Sequence, residues 1–157
     1  MPVHQRLTKN SAVTAILLTA ATVLLISACG KKPDDLVLVK GFIDRWQNGV
    51  SLNSPDSLQG LFSAKKEWVV KAPDEMLQLV FSSGVDSITV AGRSIRLYRE
   101  EEEVRSAQAV ITLLGKKSGT QEIWHSRMTL LLRKDGKRWG IVDYQFENGE
   151  SGKDRPA

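Results

Sequence analysis

The stretch LLLRKDGKRWGIVDYQF (Leu130–Phe146) decides how this chain folds. Two strand-forming runs flank Asp135-Gly136, a dipeptide whose residues both tolerate positive φ, so the pattern predicts a hairpin with a two-residue loop. That loop sets three cross-strand pairs on one face of the hairpin, namely Leu132 with Trp139, Leu130 with Ile141, and Met128 with Asp143. This face is the more apolar near the turn and is therefore predicted to face the core.

The chain before this hairpin has the composition of further strands. Segments around 86–90, 93–99, 104–114 and 121–133 are rich in β-branched and aromatic residues, with turn signals between them. The closing strand is predicted over 137–147. Residues 148–157 are polar and are predicted to form a flexible, frayed tail.

The sequence before the strands has the residue pattern of helices. In PDDLVLVKGFIDRWQNG (33–49), apolar residues recur at helical spacing, Asp34 and Asp35 suit the positive end of the helix dipole, and Gly49 suits a stop. We predict a helix over 34–48. Ser54 is a predicted cap for a second short helix, and a third is predicted over 73–82.

Helices followed by antiparallel strands predict an α+β domain over residues 34–147, with N-terminal helices packed on a curved antiparallel sheet. The predicted core comprises Phe42, Trp46, Phe62, Leu77, Val80, Ile111, Leu113, Met128, Leu130, Trp139 and Ile141.

Three stretches carry a family resemblance: FIDRWQNG (42–49), LQGLF (58–62) and the hairpin already quoted. Together they resemble the nuclear-transport-factor-2-like superfamily over residues 33–147. The resemblance implies a cone of sheet wrapped around a long first helix. Small bacterial lipoproteins with a lumazine-binding-protein-like domain look similar in layout, and a cystatin-like domain is the alternative fold.

Residues 1–28 read as a secretory leader. Arg6 and Lys9 precede an apolar run from Ala12 to Ile26, and the leader holds no acid. The run is shorter than the roughly 20 residues that a permanent membrane helix needs, so cleavage is favoured over a permanent anchor helix.

The end of the leader, Ile26-Ser27-Ala28-Cys29, resembles the lipobox of bacterial lipoproteins. The resemblance implies that the thiol of Cys29 receives a diacylglyceryl group, that the leader is cut before it, and that the new amino group takes a further acyl chain such as palmitate. Residues 29–33 would then be a lipidated tether, and two or more acyl chains hold a protein firmly in a membrane. Gly30 lacks the aspartate that favours inner-membrane retention, which implies the outer membrane, facing the periplasm, if the source is Gram-negative.

The composition limits which classes of partner and which bound groups are expected. Of the 22 basic residues two lie in the leader, leaving 20 against 18 acidic ones, so no nucleic-acid partner is expected. Cys29 is the sole cysteine and His125 the sole histidine after the leader. We therefore expect no disulfide, no metal site and no cofactor.

The superfamily includes ketosteroid isomerases and polyketide cyclases, which place an acidic base in an apolar cone. By resemblance and by the predicted register, Asp143 is a weak catalytic candidate, because burial would raise its pKa. The alternative places Asp143 at the open mouth, solvated or paired with an arginine. The residues predicted to line a ligand pocket are Trp46, Met128, Trp139, Ile141 and Asp143.

Two charged groups complete the candidates. YREEEEVR (98–105) is either a contact surface for a basic partner or divalent cation, or a solvated turn. Arg133, Lys134, Lys137 and Arg138 at the hairpin either touch anionic lipid or lipopolysaccharide, or keep the hairpin soluble.

The sequence thus favours a lipid-anchored, non-enzymatic envelope protein that binds a small apolar ligand or an envelope protein. The alternatives are an isomerase- or dehydratase-like enzyme using Asp143, and a structural assembly element held near the membrane by its acyl chains.

Overall fold

A computed structural model describes residues 34–149 and, as backbone only, residues 151–153. The predicted leader, Cys29 and the tether to residue 33 lie outside the described residues. Among the residues described, no helix is both long and apolar enough to cross a membrane.

The first helix, α1 (Asp35–Ser51), follows the predicted apolar stripe and is capped by Asp34, whose carboxylate accepts a hydrogen bond from the Leu36 amide at 3.1 Å. Gly49 does not end it, contrary to the prediction. A Cβ at Gly49 would lie 2.8 Å from Cδ2 of Leu58, so this glycine allows a close approach of the next helix.

Three short elements connect α1 to the sheet: α2 (Pro55–Gln59), a 3₁₀ turn (Lys66–Trp68) and α3 (Pro73–Val80). Ser54 caps α2 as predicted, with its hydroxyl accepting from the Ser57 amide at 3.4 Å. α3 ends two residues earlier than predicted and buries Met76, Leu77 and Val80.

The sheet is antiparallel in the order β1-β2-β3-β4. Its strands are β1 (Ser87–Glu100), β2 (Glu103–Lys116), β3 (Glu122–Asp135), β4 (Arg138–Glu147) and a short β5 (Ser151–Lys153) paired with the start of β3. The two segments predicted at 86–90 and 93–99 form one strand, because a bulge at Ala91 joins them. β5 lies in the stretch that we predicted to be a frayed tail.

The loop of the closing hairpin lies one residue later than predicted, which moves each cross-strand partner on β4 by two residues. Asp135 pairs with Arg138, so the loop is Gly136-Lys137, with Gly136 at φ 58° as a type II′ turn requires. Leu132 therefore faces Ile141 rather than Trp139.

A bulge at Val142 then changes the alternation of side chains along β4. Beyond it Leu131 pairs with Asp143 and Leu130 with Tyr144. Because a bulge exchanges the two faces of a strand, Tyr144 enters the core and Asp143 does not. The predicted pairing of Met128 with Asp143 is wrong, and the partner of Met128 is Phe146.

The core lies between the helices and the inner face of the curved sheet. Trp46, Phe42 and Ile43 on α1 have at most 1% of their surface exposed. An ion pair joins Arg93 of β1 to Asp44 of α1 at the surface. The predicted core residues are buried, except that Phe62 and Trp139 are partly buried and pack against the cluster.

Residues 61–72, called here the crossing segment, run along the outer edge of β4. The Ile141 amide donates to the Leu61 carbonyl and the Ser63 amide to the Ile141 carbonyl, both at 2.9 Å, and the Val70 amide donates to Val142 at 2.8 Å. These bonds satisfy backbone groups of β4 that would otherwise form an open edge.

The β1–β2 turn holds two glutamates in left-handed backbone conformations, Glu101 at φ 49° and Glu102 at φ 70°. Glu100 and Glu103 pair beside them, so four carboxylates crowd one turn. Asparagine and glycine are the residues that tolerate this geometry.

Replacing Glu101 by Asn together with Glu102 by Gly is expected to raise the free energy of unfolding by about 1–2 kcal/mol, because it removes left-handed strain and charge repulsion. Urea unfolding measures the gain. The Glu101→Gln, Glu102→Gln variant removes the charges and keeps the strain, and an equal gain there would contradict a conformational cause.

Candidate functional site

The interior predicted as a ligand pocket is occupied by the protein's own side chains. Trp46, Met128 and Ile141 each have 0% of their surface exposed. The Trp46 indole Nε1 donates to the Met76 sulfur at 3.1 Å in this interior. These residues meet as predicted, yet they pack against one another rather than around an open space.

Trp139 lies at the edge of the core, beside the hairpin turn. Its ring faces Lys134, whose Nζ is 5.9 Å from the ring centroid. The indole Nε1 is buried without a hydrogen-bond partner among the described residues, as is that of Trp124. Trp139 is thus a partly buried residue that packs against the core.

Asp143 lies on the outer face of the sheet, because of the bulge at Val142. Its carboxylate accepts from the Tyr144 amide at 2.8 Å and lies 3.7 Å from Nζ of Lys71. Its side chain is 23% exposed. The prediction that placed Asp143 on the core face is wrong, and its ion-pair partner is a lysine rather than the arginine considered above.

Lys71 and Tyr144 join the crossing segment to β4. Lys71 Nζ donates to the Tyr144 carbonyl at 2.7 Å, and the Tyr144 hydroxyl donates to the Ala72 carbonyl at 2.9 Å. Burial, reinforced by the negative charges of Glu75 and Asp143, raises the pKa of Tyr144 to about 12. Tyr144 is thus a buried residue that ties β4 to the crossing segment.

This raised pKa predicts an alkaline weakening of the fold. The contribution of Tyr144 is complete below pH 10 and is lost as pH rises to 12, amounting to about 2–3 kcal/mol. Tyr144→Phe should lose about 1 kcal/mol at pH 8, where the hydroxyl bond is missing, but decline less steeply above pH 10.

Urea unfolding at pH 8, 10 and 11.5 tests this behaviour. Tyr98→Phe is the matched control, since Tyr98 is 45% exposed. If the free energy of unfolding fell equally steeply above pH 10 in the wild type and in Tyr144→Phe, the alkaline loss could not be assigned to Tyr144.

A shallow surface groove separates the start of α2 from α3. Its volume is about 320 Å³, and it is lined by Asn53, Pro55, Asp74, Leu77, Gln78 and Phe81. Sequence reasoning missed it, although Phe81 at the end of α3 is the kind of apolar residue that marks such a groove.

The outer face of the sheet has an uncharged centre. Val110 and Thr129 pair across β2 and β3, between Ser94 on β1 and Gln145 on β4. Leu131 lies one pair further along the same face. These side chains form a regular surface that the helices do not cover.

The charged residues of the hairpin, Arg133, Lys134, Lys137 and Arg138, form what we call the basic tip. Arg133 stacks over the Trp68 ring at 4.5 Å, and Lys134 pairs with Asp35 of α1 at 2.6 Å. The four glutamates Glu100–Glu103 form the acidic tip. Within residues 34–149, no group of three histidine, cysteine or acidic side chains is arranged to hold a metal ion.

No protein-family model and no curated protein sequence matches the chain. Solved structures do. An NTF2-like protein of unknown function from Pseudomonas putida aligns with TM-score 0.54 and 10% identity, covering 77% of this chain and 95% of that one.

Two further structures resemble the chain. An uncharacterized protein with a cystatin-like fold from Caulobacter vibrioides has TM-score 0.51 and 18% identity, covering 71% of this chain and 87% of that one. A hexachlorocyclohexane dehydrochlorinase from Novosphingobium barchaimii has TM-score 0.54 and 14% identity, covering 75% and 88%. At these identities the likenesses show a shared fold alone, that of NTF2-like and cystatin-like proteins.

Proposed function

We propose that this protein is a lipid-anchored, non-enzymatic component of the bacterial envelope whose domain binds a neighbouring envelope protein through its surface. The anchor is supported by the lipobox-like Ile26–Cys29 behind a basic and apolar leader. The choice of a surface over an interior site is supported by the packing of the domain.

The packed interior is the observation that carries this proposal. A pocket for a small apolar ligand needs roughly 300–1,000 Å³ of concave space. The side chains of Trp46, Met128 and Ile141 fill the place where the fold would offer it. A ligand in this interior would have to displace them, and the groove of about 320 Å³ beside Phe81 is a shallow surface feature rather than an enclosed pocket. Both observations favour an envelope protein over a small apolar ligand as the partner.

The enzymatic alternative receives no support from Asp143. A general base in this fold needs an apolar enclosure that holds it against a substrate. Asp143 instead lies on the outer face, beside Lys71. The likeness to a dehydrochlorinase is a likeness of fold at 14% identity.

The anchor is tested with Cys29→Ser in the native host. The wild type is expected to fractionate with membranes and to carry acyl mass on Cys29, whereas Cys29→Ser should leave the membrane fraction or accumulate uncleaved, since the thiol is the site of lipidation. Intact-protein mass and fractionation measure both. Unchanged fractionation of the variant, with no acyl mass on the wild type, would contradict the anchor.

The binding surface is tested by photocrosslinking in intact cells. A photoreactive residue at Gln145, exposed on the outer face of the sheet, should crosslink one envelope protein reproducibly. The same residue at Gln59, exposed at the end of α2 and outside the groove, is the matched control. Equal labelling at both positions, or labelling by lipid alone, would argue against a specific protein partner at this face.

A further inference from the structure

The structure links the start of the domain to one hairpin. Lys134 Nζ lies 2.6 Å from the Asp35 carboxylate, and both side chains are largely buried, at 25% and 20% exposure. The first turn of α1 is therefore held beside the basic tip. Asp35, the first residue of α1, follows Cys29 by six residues, and a chain of that length spans at most about 22 Å when fully extended.

The 3₁₀ turn adds cations to this end of the domain. Lys65 pairs with Asp135 at 3.2 Å, which brings the exposed Lys66 close to the hairpin loop. Trp68 lies between two cations, with Lys65 Nζ 4.2 Å and the Arg133 guanidinium 4.5 Å from its ring. The acids Asp35 and Asp135 are neutralised by these contacts.

Exposed positive charge remains after this pairing. Within residues 34–149, no carboxylate lies within ion-pair distance of Lys66, Lys137 or Arg138. Asp34 and Glu67 are the remaining acids here, and Lys31 and Lys32 add two cations next to Cys29 in the sequence. Val37, 61% exposed on the first turn of α1, supplies an apolar contact at the same end.

The acidic tip makes the charge at this end of the sheet asymmetric. Ser106 pairs with Arg133, so the β1–β2 and β3–β4 turns lie at the same end of the sheet, about 10 Å apart across two strand spacings. The two turns carry opposite charge, and α1 begins beside the basic one. An anionic surface near Cys29 would attract the basic tip and repel Glu100–Glu103.

We propose that the basic tip, with Lys66 and the first turn of α1, rests on anionic phospholipid headgroups of the membrane that holds Cys29, with the acidic tip turned away. This inference rests on the proposed lipid anchor. It assigns one orientation to the domain and leaves the outer face of the sheet accessible to a protein partner.

The test uses acylated protein that begins at Cys29, in vesicles of phosphatidylcholine alone or with about 30% phosphatidylglycerol added, and measures hydrogen exchange. We expect phosphatidylglycerol to slow hydrogen exchange of the backbone amides of residues 64–68 and 135–139, and high salt to abolish this protection. Each positive charge removed should reduce the protection factor by about fivefold. The variant Lys137→Glu, Arg138→Glu should lose it. The matched variant Lys116→Glu, Lys117→Glu, at the opposite end of the sheet, should keep it.

Two outcomes overturn the inference in distinguishable ways. Acylated protein that sediments with both vesicle types, but whose tip exchange is independent of phosphatidylglycerol or of Lys137 and Arg138, would overturn the orientation and leave the anchor standing. Protein without acyl mass on Cys29 would overturn the anchor and the orientation together.

Discussion

Met76→Ala is expected to lower the free energy of unfolding by about 4 kcal/mol, because it opens a cavity and leaves the buried Trp46 indole without its acceptor. Both residues have 0% exposed surface, and the indole nitrogen lies 3.1 Å from the Met76 sulfur. Urea unfolding followed by tryptophan fluorescence measures the loss.

Two companion variants separate the causes. Met76→Leu keeps most of the volume but removes the sulfur, so it should cost about 1–2 kcal/mol. Leu79→Ala, on the exposed side of the same helix, should cost well under 1 kcal/mol by comparison. A Met76→Leu variant as stable as the wild type would show that the sulfur contributes packing alone.

Gly140→Ala is expected to destabilise the domain by about 2–3 kcal/mol, because overpacking forces backbone to move. A Cβ at this position would lie 2.7 Å from Cα and 2.9 Å from N of Ser63. Ser63 belongs to the crossing segment, and its amide donates a hydrogen bond to the Ile141 carbonyl. Pushing the crossing segment away from β4 would therefore break the hydrogen bonds that protect the edge of that strand.

The matched control for Gly140→Ala is Gly92→Ala on β1, where an added Cβ meets nothing within 4 Å. That change should alter stability by no more than about 0.5 kcal/mol. Thermal unfolding of both variants tests the contrast. Equal losses in the two would mean that glycine in this sheet matters for backbone freedom and not for close approach.

The helices and most of the strand segments could be predicted because their signals are local. Ser54 and Pro55 mark the start of α2, and the apolar spacing marks α1, which the structure places at Asp35–Ser51. Gly49 was misjudged as a stop, since its role depends on Leu58, which only the tertiary structure brings close.

The register of the closing hairpin was harder to predict. Asp135-Gly136 suggests a loop of those two residues, whereas the structure uses Gly136-Lys137. The bulge at Val142 has no local signature in IVDY. The bulge depends on tertiary packing, because it places the Tyr144 side chain in the core. There the Tyr144 hydroxyl donates a hydrogen bond to the Ala72 carbonyl.

The bulge at Val142 also explains why part of the candidate site could be predicted from the sequence and part could not. Trp46, Met128 and Ile141 were correctly expected to converge in the interior, because hydrophobic periodicity identifies core faces. Whether they enclose space or fill it depends on volumes summed over many side chains. The position of Asp143 depended on one inserted residue, and a slip of one residue reverses every face beyond it.

The bulge at Ala91 and the arginines of β1 have a consequence for how copies of the protein meet. Within the described residues β2 is the only strand that pairs with β1, so most of the other edge of β1 offers unpaired backbone. The Ile88 carbonyl is an exception, because it accepts a hydrogen bond from the Ser51 hydroxyl at 3.4 Å. Arg93, Arg96 and Arg99 recur along it, with Arg93 pointing toward the helix layer. Since Arg93 is paired with Asp44, the positive charge of this kinked edge comes from Arg96 and Arg99. That charge repels other copies of the chain and protects crowded chains against strand-to-strand aggregation.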